Sequence, residues 1–323
     1  MNTPLIDVRH LGVRYRTREG WLQALSEVSF SLNAHETLAV VGESGSGKSS
    51  IARAILRLLP AVDGAVHWQG QDLYALAPAR LRAARRDLQI VFQDPLASLD
   101  PRLNVEEIVR EPLEVFRREL SADERSALVA RVLERVGLSP TALAGYPHEF
   151  SGGQCQRIAI ARAIVGSPKL LVCDEPLSAL DVSIQGQIVN LLAELRRELG
   201  LALIFISHNL AVVRRIAGSV LVLYLGRVME HAASADLFAR PHHPYTRALL
   251  ASIPVPDPRR ARRDTPVALG EPGSALRPPS GCVFHVRCPF AVERCRREVP
   301  VLESTGDGRA VACHRWREIP AGT

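Results

Sequence analysis

Three short apolar runs punctuate the chain: TLAVV at residues 37–41, LLVC at 170–173 and LIFIS at 203–207. Runs of this length, apolar on both alternate faces and partly β-branched, read as strands of a parallel sheet covered on both sides. Between them, residues 50–59, 123–137 and 156–165 carry apolar positions at helical spacing, and the first of these is expected to stop at Pro60. Strands alternating with helices predict an α/β fold.

The first strand runs into Gly42, Glu43, Ser44, Gly45, Ser46, Gly47, Lys48, Ser49 and Ser50, the spacing G-x-x-x-x-G-K-S. In a strand–loop–helix context this spacing lets backbone N–H groups cradle phosphates, a lysine reach the β and γ oxygens, and a serine hydroxyl ligate Mg²⁺. The helix N-terminus adds unpaired N–H groups and the positive end of its dipole. Lys48 is one of two lysines among 40 basic residues. In a chain that otherwise uses arginine, a compact ammonium at this position points to phosphate rather than to generic surface charge.

The second strand ends in Asp174 and Glu175, two carboxylates at the carboxyl end of a parallel strand, where such sheets bind ligands. Asp174 is expected to hold Mg²⁺ and Glu175 to polarise an attacking water. Ahead of the periodic run 156–165 stand Ser151, Gly152, Gly153 and Gln154. Serine with glutamine three residues on satisfies a capping box. The two glycines weaken a first helical turn and suggest a ligand close to the backbone.

A length of 323 residues fits roughly two domains. No apolar run approaches the ~18 residues that span a bilayer, and residues 1–10 lack the apolar core of a signal peptide, so a cytosolic protein is expected. Six cysteines then argue for metal binding or buried thiols rather than disulfides. Residues 241–323 hold 13 arginines against 8 acids and 12 of the 22 prolines, whereas residues 1–240 are nearly balanced. That shift marks a separate, loop-rich carboxy-terminal module. Few aromatic residues stand among its arginines, which disfavours nucleic acid as its partner, and the run Arg259, Arg260, Arg262 and Arg263 reads as a solvated linker.

Ser151 to Gln154 resembles the signature motif of ATP-binding cassette (ABC) ATPases, with Phe150 where leucine is commoner and Cys155 in place of the usual basic residue, a change expected to alter the ATPase rate slightly. The resemblance covers residues 5–235. It implies a P-loop NTPase of the ABC type: a RecA-like core, an antiparallel β-subdomain, and a helical subdomain at about 94–167, within a nucleotide-binding domain 1–240. It further implies that Tyr15 stacks on adenine, that Gln93 touches Mg²⁺ and senses a membrane partner, that Ser178 to Asp181 form the loop crossing to an opposite subunit, and that His208 contacts the γ-phosphate. A helix beginning at Ser151 in a separate subdomain does not reach its own P-loop. In the family two cassettes pack head to tail, each nucleotide lying between one P-loop and the other chain's signature helix.

Segments 92–102 (FQDPLASLDPR), 174–183 (DEPLSALDVS) and 241–250 (PHHPYTRALL) look like those of dipeptide and oligopeptide permease ATPases, the last opening that subfamily's extension, 241–323. Adjacent His242 and His243 are poorly disposed for metal, so docking of the extension is the expected role. Cys282, Cys288, Cys295 and Cys313 are separated by five, six and seventeen residues. The spacing lacks the close pairs of a zinc ribbon and suits an iron–sulfur cluster at least as well; zinc and free thiols stay open. The resemblance implies a [4Fe–4S] cluster, with a structural staple as its modest role, and Cys173 is read as core. It also implies an ATP-hydrolysing subunit of a bacterial peptide importer at the cytoplasmic face of the inner membrane. The expected partners are a paralogous second cassette, two transmembrane permeases and, indirectly, an extracytoplasmic binding protein. Nickel, glutathione or other small solutes are alternative cargoes. A soluble ATPase acting on nucleic acid or ribosomes is the rival class, disfavoured by one P-loop and no long heptads.

Overall fold

The computed structural model describes residues 3–61, 63–253 and 273–319; the arginine run 259–263 lies outside them. Strands β1 (Ile6–Thr17), β2 (Gly20–Leu32), β3 (Thr37–Val41), β4 (Asp63–Trp68), β5 (Gln71–Asp72) and β6 (Leu88–Val91) precede the helical region, and β7 (Leu170–Asp174), β8 (Ala202–Ile206), β9 (Ser219–Tyr224), β10 (Arg227–Ala233), β11 (Glu303–Ser304) and β12 (Ala310–Val311) follow it. An antiparallel sheet takes the order β2-β1-β4-β5, and a larger one the order β11-β12-β10-β9-β3-β8-β7-β6. Within the latter, β9, β3, β8, β7 and β6 are parallel neighbours.

Both faces of that parallel core are covered, as apolar runs without alternation require. Leu38, Val40, Leu170, Val172, Ile204 and Ile206 face the antiparallel subdomain and the helix Lys48–Ile55. Ala39, Val41, Leu171, Cys173, Leu203 and Phe205 point the other way, toward the helical region. Cys173 is fully buried, as expected of a core residue. Registry pairs Val91 with Cys173, Asp174 with Ile206 and Val40 with Ile206. These strands therefore end level, and the residues that follow them emerge at one edge.

The helices Val105–Phe116, Ala122–Arg135 and Gly152–Ile164 pack together as the helical region, each opened by a capping box: Asn104 with Glu107, Ser121 with Glu124, and Ser151 with Gln154. The helix expected at 50–59 instead occupies Lys48–Ile55. It starts earlier because Gly47, at φ 104°, turns the loop directly into it. Before Pro60 is reached, Arg57 adopts φ 49° and donates to the carbonyls of Leu73 and Leu76. A tertiary contact, not the proline, stops it.

The composition change at Pro241 is a change of local structure and not a break in the core. Past it, helix Pro244–Ala251 and a loop-rich segment pack back on the same body: β12 pairs with β10, and Tyr245, Cys282, Phe284 and Cys295 join the cluster that contains Val41 and Val222. The junction is fastened by Glu230, fully buried, whose two carboxylate oxygens accept the backbone N–H groups of His242 and His243, each at 2.9 Å. A segment so rich in proline and arginine buries too little apolar surface to form its own core and borrows one.

Candidate nucleotide site and cysteine cavity

The site lies at the carboxyl edge of the parallel strands. β3 feeds the glycine-rich loop, β7 delivers Asp174 and Glu175, β8 delivers Ser207 and His208, and Gln93 stands exposed two residues beyond β6. Asp174 Oδ1 accepts a hydrogen bond from Ser49 Oγ at 2.9 Å. Burial raises the Asp174 carboxyl above the ordinary aspartate range, and the Ser49 hydroxyl opposes that shift. Lys48 is buried; its Nζ donates to the carbonyls of Gly42 and Glu43 at 3.0 Å each and lies 3.5 Å from Glu175 Oε1. The other carboxylate oxygen of Glu175 is 3.3 Å from His208 Nδ1, whose side chain is 63% exposed. Glu175 sits at φ 45°, a left-handed conformation rare outside glycine and characteristic of functional turns.

A cation folded back on its own loop's carbonyls, and a buried Ser46 hydroxyl with no hydrogen-bond partner, fit a site completed by an anion. The serine–carboxylate pair fits Mg²⁺, a hard cation that takes oxygen ligands. Tyr15 is half-buried on β1 with its hydroxyl 3.2 Å from Ser50 Oγ, beside the helix that leaves the loop.

The signature segment lies elsewhere. Ser151 and Gly152 are exposed at the start of their helix, as are Ser178, Ala179 and Asp181; Val182, one residue on, is 85% exposed. Gly153 has a reason within the chain for lacking a side chain, since a Cβ there would come 2.8 Å from Ile184 Cγ2. Cys155 turns inward, fully buried, its Sγ 3.4 Å from the carbonyl of Pro147, and burial pushes the thiol upward. It packs the helical region and does not face the phosphate side; Phe150 is half-buried against the same core.

Cys282, Cys288, Cys295 and Cys313 line one cavity of about 20 Å³, together with His243 and Phe284. That is room for a single water. Burial pushes the Cys282 thiol up to about 12 and the Cys288 thiol up to about 11, and Cys313 shifts the same way. All are free thiols, and among the described residues no group of three or more His, Cys, Asp or Glu is arranged to hold a metal ion.

Sequence reasoning missed the extension's contact with the phosphate loop. Tyr245 Oη accepts the Glu43 N–H at 2.9 Å, and Arg287 Nη1 donates to Glu43 Oε2 at 2.8 Å. Nothing local in the chain signals pairs 202 and 244 residues apart.

Residues 25–178 match the family model of the ABC transporter, and residues 229–295 match that of the oligopeptide/dipeptide transporter C-terminal region. A probable peptide ABC transporter ATP-binding protein, y4tS, from Sinorhizobium fredii is 51% identical over 97% of this chain and 90% of its own length. The oligopeptide transport ATP-binding protein OppF of Escherichia coli is 49% identical over 93% of each. Among solved structures, the dimeric ATP-binding cassette MJ0796, in a post-hydrolysis state bound to ADP and Pi, superposes with a TM-score of 0.65 at 29% identity, covering 71% of this chain and 98% of that one. With fold, loop and carboxylates in agreement, this chain belongs to the ABC transporter ATP-binding proteins, in the group that carries the oligopeptide/dipeptide transporter C-terminal region.

Proposed function

We propose that the chain energises the import of di- or oligopeptides across a bacterial inner membrane, working at its cytoplasmic face with two permease subunits and a paralogous second cassette. The observation that carries the catalytic part is the convergence of Lys48, Ser49, Asp174, Glu175 and His208 at one sheet edge. Bound Mg·ATP supplies an activated γ-phosphoryl group and a compensating metal charge. Lys48 would exchange its loop carbonyls for phosphate oxygens, and Ser49 and Asp174 would turn their oxygens to the metal. Glu175 would orient the attacking water and take its proton, while His208, 3.3 Å away, would steady that carboxylate and meet the γ-phosphate. Tyr15 would stack on the adenine, and Gln93 would report metal occupancy to the permease.

Ser151, Gly152 and Gln154, with the exposed loop from Ser178 to Asp181, would complete the nucleotide site of the partner cassette. The peptide-transport names of the relatives y4tS and OppF support peptide as cargo. Among the described residues no helix is long and apolar enough to cross a membrane, in keeping with peripheral attachment to permeases. Glu175→Gln is expected to bind ATP as the parent does and to lose at least about a hundredfold in turnover; undiminished hydrolysis removes Glu175 as the base.

For the carboxy-terminal cysteines we propose a [4Fe–4S] staple held by Cys282, Cys288, Cys295 and Cys313, supported by their convergence on one cavity. As described, the cavity has room for one water and its thiols are not arranged to hold a metal, so the segment would have to fold around the cluster in a wider arrangement. Protein purified without oxygen is expected to be brown and to contain iron and sulfide; stoichiometric zinc, or neither metal, overturns the assignment.

A further inference from the structure

Glu43 is the second residue of the phosphate loop, and each of its polar groups is engaged. Its carbonyl accepts from Lys48 Nζ, its N–H donates to Tyr245 Oη, and its carboxylate pairs with Arg287. The last two partners belong to the carboxy-terminal extension. Arg287 is held in place itself: its side chain is 11% exposed, its guanidinium lies 5.8 Å from the Tyr224 ring and 5.9 Å from the Phe284 ring, and Nη1 is 3.5 Å from the Tyr224 hydroxyl. Tyr224, Tyr245 and Phe284 form a closed aromatic trio, with ring centroids 4.7 to 5.4 Å apart. One ring comes from the core strand β9, one from helix Pro244–Ala251 and one from the cysteine-bearing segment. The hydrogen bond that Arg287 donates to the Glu43 carboxylate holds its guanidinium above the ordinary range despite its burial.

We propose that Arg287 and Tyr245 are positioning residues of the nucleotide site, clamping Glu43 so that the phosphate loop and the Lys48 ammonium are preset for the nucleotide. This rests on the ATP-site reading above and adds to it a dependence on the extension. A rigid mount lowers the ordering cost of binding. Attachment of the extension does not itself require this clamp, because Glu230, the β10–β12 ladder and the aromatic trio already fasten it.

The test uses the full chain and Mg·ATP, reading Kd, KM, kcat and melting temperature together. Arg287→Gln is expected to raise Kd and KM for ATP about tenfold, as for loss of a charge-assisted hydrogen bond, with kcat within about threefold of the parent. Arg287→Lys recovers part of the affinity, and Tyr245→Phe, which keeps the ring packing, weakens binding in the same direction. Adding Glu43→Gln to Arg287→Gln costs no further affinity, since both remove one interaction. Unchanged Kd in Arg287→Gln, or losses in the two variants that add, overturn the clamp. So does weakened binding that tracks a fall in melting temperature across the set, which makes the contact a fastening only. Failure of the parent chain to bind Mg·ATP would instead strike the ATP-site reading.

Discussion

Glu175 shows how much one backbone conformation contributes. At φ 45° it turns its carboxylate back between Lys48 and His208 instead of out along the strand. A left-handed non-glycine residue costs on the order of 1 kcal/mol or more and persists only where its surroundings enforce it; here its N–H is tied to the carbonyl of Ile206 at 3.1 Å. Gly153 is a second position where one atom matters. Gly153→Ala drives a methyl against the stiff branched side chain of Ile184 and should cost about 1–3 kcal/mol in chemical denaturation. Ile184→Ala should remove most of that penalty in the double variant; if it does not, the glycine is required by something other than Ile184. The sequence showed Lys48, Ser49, Asp174 and Glu175 because their spacing is set by strand and loop geometry alone. It could not show the packing demand at Gly153, which depends on Ile184 in a later helix.

Helix Pro244–Ala251 is docked through its cap. His243 Nδ1 accepts the Tyr245 N–H at 3.0 Å, and full burial drives its imidazole down to about 3 from the ordinary 6.5, with the Arg247 charge acting in the same direction. In the folded chain His243 therefore stays neutral where the unfolded chain takes up a proton. Its contribution to stability is present above pH 6.5 and is lost as pH falls toward 3, by about 1.4 kcal/mol per pH unit. His243→Asn, which keeps a cap acceptor, should flatten melting temperature against pH between 6.5 and 4.5 relative to the parent. Equal slopes in the two proteins would remove His243 as the source. Glu230→Ala strands two buried N–H groups at the same junction and should destabilise by at least about 2 kcal/mol, visible as a lower denaturant midpoint. The sequence made docking the expected role of this segment, yet nothing in the PHHPYTRALL motif names its acceptor, since Glu230 lies on a strand assigned only by the sheet.

On the scale of the whole molecule, the face around Ser151, Ala179 and Val182 is left exposed by the described residues. Val182→Asp should leave the isolated subunit's stability within about 0.5 kcal/mol, because the side chain is already 85% exposed. In the assembled transporter it should lower ATPase activity about tenfold if the second cassette covers it; full activity would place the interface elsewhere. The sequence alone determined the α/β core, the phosphate loop, the acidic strand end and the signature helix. Each is a short-range pattern, in which apolar periodicity and the glycine, cap and carboxylate positions follow from local backbone geometry. The tertiary structure alone decided that the carboxy-terminal residues share the core rather than form a body of their own, that Cys155 faces inward, and that Arg287 and Tyr245 grip Glu43. Those facts depend on which distant surfaces meet once apolar area is buried, and a guanidinium in a linear chain carries no mark of the carboxylate it will find.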